Sequence, residues 1–244
     1  MLLSRANKAW FSFRGIESTD VDAWLVSAPV FAQGAWRGDS KTVIGRDGDV
    51  FVSDGCYDTS EIKVKLRFRM SRLDDVMAWL TGSGWLVFAW ARNRAYRARV
   101  EKKLDYKYGV PGLNPIMQVE VTFLCQPFRY QWPEPKAFEI TASGTEFINP
   151  GTAPSLPRVK ITGSGDFTVT ISGQELAFSN VTGSGIIVDS YSMDALSYDG
   201  TEGANGKMSG TPWTIAPGKS TVAWTAESGS SVTKIEILPR WRYY

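Results

Sequence analysis

The stretch Ile62-Lys63-Val64-Lys65-Leu66-Arg67-Phe68-Arg69-Met70 alternates strictly between apolar and basic residues. A period of two places alternate side chains on opposite faces of an extended chain, which is typical of a half-buried β-strand. The apolar residues at the even positions are therefore expected to face a core. The basic residues then form a row on the other face, the basic row, which consists of Lys63, Lys65, Arg67 and Arg69.

A short helix is expected directly after this strand. Ser71 is a favourable N-cap, and Asp74 stands three residues later, at the acidic position of a capping box. Apolar residues recur at helical spacing from Leu73 to Leu80, and glycine follows at Gly82. Because this helix has only two or three turns, it must dock on a sheet to be stable. Further strands are expected over 85–90, 95–102 and 118–124, and a tight turn over 45–49.

The segment from Gln126 to Pro135 is the best candidate for a domain boundary. It contains Pro127, Pro133 and Pro135, and proline cannot donate a hydrogen bond to a β-ladder. The charge also changes sign here, because residues 1–133 have a net charge of +5 and residues 134–244 a net charge of −3. The sequence therefore predicts two domains, over 1–133 and 134–244.

The second domain is predicted to be all β. Short apolar runs near 158–161, 167–171, 175–178, 185–189, 195–198, 220–225 and 232–238 are separated by glycine-rich turns. Gly173 is expected to form a hairpin turn, as are the runs Gly163-Ser164-Gly165 and Gly183-Ser184-Gly185. This spacing is typical of a β-sandwich. The chain as a whole is thus predicted to be mainly β, with one short α-helix.

Little in the composition favours catalysis. The chain contains no histidine, which removes the commonest general base and the most frequent zinc ligand. Neither glycine-serine-glycine run opens a predicted helix, as a phosphate loop requires. The pair Asp47 and Asp49 falls short of a calcium loop, and whether any two carboxylates have glycosidase spacing stays open. We therefore expect no enzyme activity, no metal site and no cofactor.

The basic row has three interpretations. Four cations at alternate positions of one strand repel each other unless opposite charges lie nearby. The row could contact nucleic-acid phosphates, an acidic face of a neighbouring subunit, or only solvent. The connection over 104–117 is long, so it is predicted to be a projecting loop or hairpin that reaches a neighbouring subunit. Its candidate contact residues are Tyr106, Tyr108 and Pro111.

Aromatic residues are the other candidates for binding. Trp213 could stack on a sugar ring if the second domain were a carbohydrate-binding module, whereas core packing is favoured for Trp224. Some of the early tryptophans, among them Trp36, are expected to be exposed in a monomer, and tryptophan is enriched at protein interfaces.

The cysteines and the apolar runs indicate the compartment. Cys56 and Cys125 each lie near an aromatic residue, and both are predicted to be buried free thiols. No signal peptide is recognisable, and no run approaches the ~20 apolar residues of a membrane span. We expect folding in a cytoplasm, without secretion by a signal peptide.

Several short motifs, in their order and spacing, resemble the distal tail protein (Dit) family of phages that have long non-contractile tails and infect Gram-positive bacteria. The motifs of the first domain are Ile44-Gly45-Arg46-Asp47-Gly48-Asp49, Ala78-Trp79-Leu80-Thr81-Gly82 and Phe123-Leu124-Cys125-Gln126-Pro127-Phe128. Those of the second are Asn149-Pro150-Gly151-Thr152, Ser155-Leu156-Pro157, Gly163-Ser164-Gly165-Asp166, Pro217-Gly218-Lys219-Ser220 and the ending from Ile235 to Arg242.

The resemblance implies a fold and a structural role. In that family the first domain is a β-sandwich-like unit that closes a ring, and the second is a galectin-like β-sandwich outside it. A homo-hexamer is implied, with a stacked double ring conceivable in isolation. The ring would join the tail tube protein to the tail-tip protein and to a receptor-binding protein, and DNA would pass through its lumen.

The expected location is the tail tip of the virion, after assembly in the host cytoplasm. The alternative to this role is a carbohydrate-binding module for host cell-wall glycans, with Trp213 as the stacking residue.

Overall fold

The computed structural model describes residues 9–31, 33–110 and 114–244, which form twenty strands and one short α-helix. They divide into two compact units, of which the first extends to Trp132 and includes Tyr244, while the second comprises Pro133–Tyr243. The division lies one residue before the boundary expected from the prolines. The prediction of a mainly β fold with one short helix is confirmed.

The first unit is built on one large antiparallel sheet. Its elements are β1 (Phe11–Phe13), β2 (Ile16–Glu17), β3 (Trp24–Leu25), β4 (Trp36–Thr42), β5 (Asp49–Tyr57), β6 (Ser60–Arg69), α1 (Leu73–Trp79), β7 (Ser83–Phe88), β8 (Arg94–Val100), β9 (Lys107–Val110) and β10 (Asn114–Gln131). The strand order is β2-β1-β7-β8-β10-β6-β3, and β9 also pairs with β10. Strands β4 and β5 pair only with each other, as a separate two-stranded sheet.

The predicted alternation of β6 is confirmed. Its residues alternate between buried and exposed along the whole strand, and Ile62, Val64, Leu66 and Phe68 are fully buried. They pack with apolar residues of β1, β7, β10 and α1 in a single hydrophobic core. The alternating sequence therefore decides which face of the sheet is covered, because a shift by one residue would bury the basic row.

The helix begins later than the capping pattern predicts. Residues Met70–Arg72 form a turn of 3₁₀-helix, and α1 then runs from Leu73 to Trp79. Ser71 is therefore not the N-cap, and no side-chain hydrogen bond caps α1. What holds the helix is its packing, since Val76 and Trp79 are buried and the indole Nε1 of Trp79 donates to the Phe13 carbonyl oxygen at 3.0 Å.

Strand β10 is longer than predicted, because Pro127 does not end it. The pairing of β10 with β8 shifts register between Cys125 and Arg129 and then continues to Gln131. A bulge lets a strand accommodate a residue that cannot donate to the ladder, and Pro127 lies inside the shifted segment. The first unit thus ends only at Trp132.

The second unit is all β, as predicted. Its strands are β11 (Phe138–Ile140), β12 (Thr145–Asn149), β13 (Arg158–Ile171), β14 (Gln174–Val181), β15 (Gly185–Asp189), β16 (Asp194–Ser197), β17 (Met208–Ser209), β18 (Gly218–Ala226), β19 (Ser231–Leu238) and β20 (Arg242–Tyr243). Gly173 forms the turn between β13 and β14, where its φ is +77°. Strands β11, β12, β17 and β20 were not predicted from the sequence.

One strand, β13, joins two layers of the second unit. Residues 158–164 pair with β15 and β19, whereas residues 165–171 pair with β14 and β18. Apolar residues from both sets of strands share one hydrophobic core. Strands that pass from one sheet to another bend at such corners. The second unit is therefore organised as two packed halves around β13.

The prediction of a hairpin turn at Gly163-Ser164-Gly165 is wrong, because this run is the bend inside β13. A Cβ at Gly163 would overlap the carbonyl oxygen of Ser231, and Gly165 has a φ of +86° beside Ser230. Gly183-Ser184-Gly185 does form a turn, but it connects strands that do not pair with each other. Glycine is needed at the bend for close approach rather than for chain reversal.

We expect Gly165→Ala to destabilise the second unit by about 2–3 kcal/mol, because the new methyl group meets Ser230 and also imposes a left-handed conformation on alanine. Gly144→Ala is the matched control. Gly144 has a similar φ of +84° but no atom lies within 4 Å of its Cβ position, so only the conformational cost of about 1 kcal/mol remains. Urea unfolding of both variants measures the difference, and equal losses would show that the bend is not tightly packed.

Candidate functional site

The hairpin of β4 and β5 is the most exposed regular structure in the first unit. Every residue of β4 is exposed, and β5 has no buried residue. The hairpin contributes no residue to the core of the unit. Yet it presents large apolar side chains to solvent, including Trp36, Val52 and Ile44, which is fully exposed at the turn. An apolar surface of this kind on an ordered element indicates an interaction site.

Polar contacts hold the hairpin together, and so does the aromatic pair of Trp36 and Phe51, whose ring centroids lie 5.4 Å apart. The guanidinium of Arg37 donates through Nε to Asp54 Oδ2 at 2.7 Å, and Thr42 Oγ1 donates to Asp49 Oδ1 at 2.8 Å. The hydrogen bond from Arg37 lowers the pKa of Asp54 below its usual range. These contacts fix the register, but an isolated two-stranded hairpin is marginally stable in water. Its base is anchored where the ring of Tyr57 meets those of Phe128 and Tyr244 edge-on, each at 5.5 Å. The rest of the hairpin takes no part in the hydrophobic core formed by the described residues.

The structure places the basic row on the exposed face of β6, between β10 and β3. Lys65 Nζ lies 3.4 Å from Glu120 Oε2, and Arg67 Nε donates to Gln118 Oε1 at 3.3 Å. The residues opposite Lys63 and Arg69 on β10 are Thr122 and Ile116, neither of which is a carboxylate. The row is thus only partly compensated, and such exposed pairs contribute at most about 1 kcal/mol each.

The predicted hairpin at residues 104–117 exists, since β9 pairs antiparallel with the beginning of β10. Tyr106 is half-buried and its ring lies 6.2 Å from that of Phe68, so the core of its own unit takes up part of this side chain. Burial raises the pKa of the Tyr106 hydroxyl. Tyr108 is exposed on β9. Pro111 lies outside the described residues.

Trp213 cannot stack on a sugar in this structure. Its side chain is fully buried, and its indole Nε1 donates to the Gln174 carbonyl oxygen at 3.0 Å. Its ring packs near Phe178 in the core of the second unit. The glycan-stacking role considered for Trp213 is therefore wrong, while Trp224 is partly buried against the same core, as favoured from the sequence.

An aromatic pocket, defined by Phe31, Phe88, Trp90 and Tyr96, lies in the first unit and encloses about 340 Å³. The ring of Phe31 meets Phe88 edge-on at 5.1 Å and stacks on Tyr96 at 6.2 Å. Phe31 and Trp90 nevertheless remain 41% and 48% exposed. Gln33, Arg94, Arg129 and Tyr244 also line the pocket. Sequence analysis missed it, because its residues come from four separate segments of the chain.

The cysteines differ from each other. Cys125 is buried in the first core, as predicted, and burial raises the pKa of its thiol to about 12. Cys56 is exposed on β5, so the prediction that it is buried is wrong. Its neighbour Tyr57 suggested a core position, but Tyr57 belongs to the base of the exposed hairpin. Both cysteines are free, as expected.

Residues 9–31, 33–110 and 114–244 contain no group of three or more His, Cys, Asp or Glu side chains that could hold a metal ion. None of the helices in this part of the chain is long and apolar enough to cross a membrane.

The fold has a counterpart among solved structures. No protein-family model matches the chain, and no curated protein matches it. The crystal structure of the Dit protein (gp 19.1) of phage SPP1, described as a paradigm of the hub of the adsorption apparatus in phages that infect Gram-positive bacteria, matches with a TM-score of 0.69. The identity is 15%, and the match covers 94% of this chain and 97% of the SPP1 chain. Over nearly its whole length, the chain has the fold of a phage distal tail protein.

Proposed function

We propose that this protein is a structural subunit of a phage tail tip that assembles into a hexameric ring. The observation that carries the proposal is the full-length match to the SPP1 Dit fold, with coverage of 94% and 97% of the two chains. Because both units are matched, the likeness is not confined to one common β-domain. A protein of this kind performs no chemistry, and its function lies in the geometry of its interfaces.

The two units have different parts in the proposal. The first unit, corresponding to the predicted domain 1–133, closes the ring, because it has the exposed β4–β5 hairpin, the basic row and exposed Tyr108. The second unit, corresponding to 134–244, is the galectin-like β-sandwich and lies on the outside of the proposed ring. A closed ring satisfies a head-to-tail interface that would otherwise extend into a filament.

The ring would connect the tail tube protein to the tail-tip protein and to a receptor-binding protein, within the tail of the virion. Its lumen would let DNA pass during ejection. A carbohydrate-binding module is a weaker candidate, since the side chain on which that function depended, Trp213, is buried.

Light scattering of the purified full chain tests the proposal. Six chains of 27.0 kDa have a mass of about 162 kDa, and a stacked double ring has about twice that mass. We expect one of these two masses at micromolar concentration. A single species of 27 kDa under the same conditions would contradict the ring.

A further inference from the structure

The turn of the β4–β5 hairpin presents two apolar side chains that the described residues of the unit leave exposed. Ile44 is fully exposed and Val43 is 46% exposed. Both lie in the turn that the Arg46 amide closes by donating to the Val43 carbonyl oxygen at 3.2 Å, at the far end of the hairpin from its base at Trp36 and Tyr57. We call Val43 and Ile44 the hairpin tip.

The aromatic pocket is the complementary feature. Its volume of about 340 Å³ lies within the usual range of ligand pockets, about 300–1,000 Å³. It is concave and mainly apolar, and it holds exposed ring surface of Phe31 and Trp90. The charges are opposite in sign, because Arg94 and Arg129 line the pocket, whereas residues 45–49 carry a net charge of −1 from Arg46, Asp47 and Asp49. Arg129 also donates through Nε to the Tyr244 carbonyl oxygen at 3.1 Å.

The tip cannot reach the pocket of its own chain. The hairpin base lies beside that pocket, since the ring of Tyr57 meets that of Tyr244 edge-on at 5.5 Å and Tyr244 also lines the pocket. From Trp36 the seven residues of β4 extend to Thr42, a distance of about 20 Å at the rise of a β-strand. The tip is therefore separated from the base beside its own pocket by about 20 Å, and a second copy is needed to bring tip and pocket together.

We propose that the hairpin tip of each subunit inserts Val43 and Ile44 into the aromatic pocket of the next subunit. This inference rests on the proposed ring and names the contact that closes it. Tip and pocket are different surfaces of one chain, so the contact is heterologous and each subunit both gives and receives a tip. This contact between subunits would also cover the hairpin tip, which the described residues of its own unit leave exposed.

The first arm of the test is Ile44→Asp, with Ile148→Asp as the matched control. Ile148 is an exposed isoleucine of the second unit. Since both side chains are exposed, neither change should unfold its unit. By light scattering we expect Ile148→Asp to retain the ring mass and Ile44→Asp to lose at least nine-tenths of it in favour of monomer.

The second arm places cysteines at both ends of the contact. In a Cys56→Ser background, the double variant Ile44→Cys with Gln33→Cys should give a ladder of disulfide-linked oligomers on oxidation. Gln33 lines the pocket, and each single variant should give no ladder.

Three outcomes would overturn the inference. If Ile44→Asp keeps the wild-type ring mass, the ring stands but the tip is not its contact. If Ile44→Asp is monomeric but the double-cysteine variant gives no ladder, the pocket is not the receiving site. A wild-type chain that is itself monomeric would overturn the ring and this contact together.

Discussion

Replacing residues 38–55 by Asn-Gly, so that Arg37 and Cys56 flank a two-residue turn, is expected to abolish assembly completely while both units stay folded. The deleted residues contribute nothing to the core of the first unit, and their polar contacts are made within the hairpin itself. An Asn-Gly turn is well suited to close the shortened strands, because its type I′ geometry matches the strand twist. The interface, in contrast, loses its projecting element.

Two measurements separate these effects. Light scattering should show a monomer of the shortened chain, and thermal unfolding should show a midpoint within a few degrees of the value for a monomeric point variant such as Ile44→Asp. Retention of the hexamer mass would show that the ring closes through another surface. Loss of the unfolding transition would show that the hairpin supports the fold after all.

Asp189→Asn is expected to destabilise the second unit by about 3 kcal/mol, since it removes the carboxylate charge from a largely buried ion pair with Arg240. Arg240 donates through Nη1 and Nη2 to the two carboxylate oxygens of Asp189 at 2.6 and 2.8 Å. The two side chains are only 14% and 15% exposed. The pair ties the end of β15 to the segment after β19. Urea unfolding of the second unit measures the loss.

The same pair predicts a pH dependence. Burial by itself raises the pKa of Asp189, but the hydrogen bonds and charge of Arg240 outweigh it, so the pKa in the folded protein lies below its usual value. The stabilisation is therefore complete above the unfolded-state pKa of about 3.9 and is lost as the pH falls through the folded-state pKa. The gap between wild type and Asp189→Asn should be constant near neutral pH and narrow below about pH 4.

Glu139→Gln is the control for this prediction. Its carboxylate pairs with Lys234 at 3.1 Å, but the two side chains are 57% and 30% exposed. Solvent screens an exposed pair of this kind, so it contributes little to stability and this variant should unfold close to wild type. Equal losses for Glu139→Gln and Asp189→Asn would contradict a special role for the buried pair.

Much of the fold follows from local patterns in the sequence. The alternation from Ile62 to Phe68 determines which face of the sheet is covered. Four strands of the second unit, β15, β16, β18 and β19, lie within about two residues of their expected positions. Local patterns gave wrong predictions where contacts between distant segments determine the structure. Ser71 has the chemistry of a helix cap, yet packing of Trp79 positions the helix instead.

The remaining errors have the same origin. Gly163 and Gly165 look like turn residues, but their neighbours across the bend, Ser230 and Ser231, are more than 60 positions away in sequence. The sequence around Trp213 does not show that its side chain is buried, because the core residues around it come from distant strands. The aromatic pocket and the hairpin tip were missed because a pocket exists only after distant segments meet, and because exposure of Ile44 has no local signature.

Electron microscopy of the purified full chain is the decisive test of the proposed ring, because images show symmetry as well as size. We expect top views of closed rings with six subunits around a central opening. Single particles of one chain, or open filaments without closure, would contradict it.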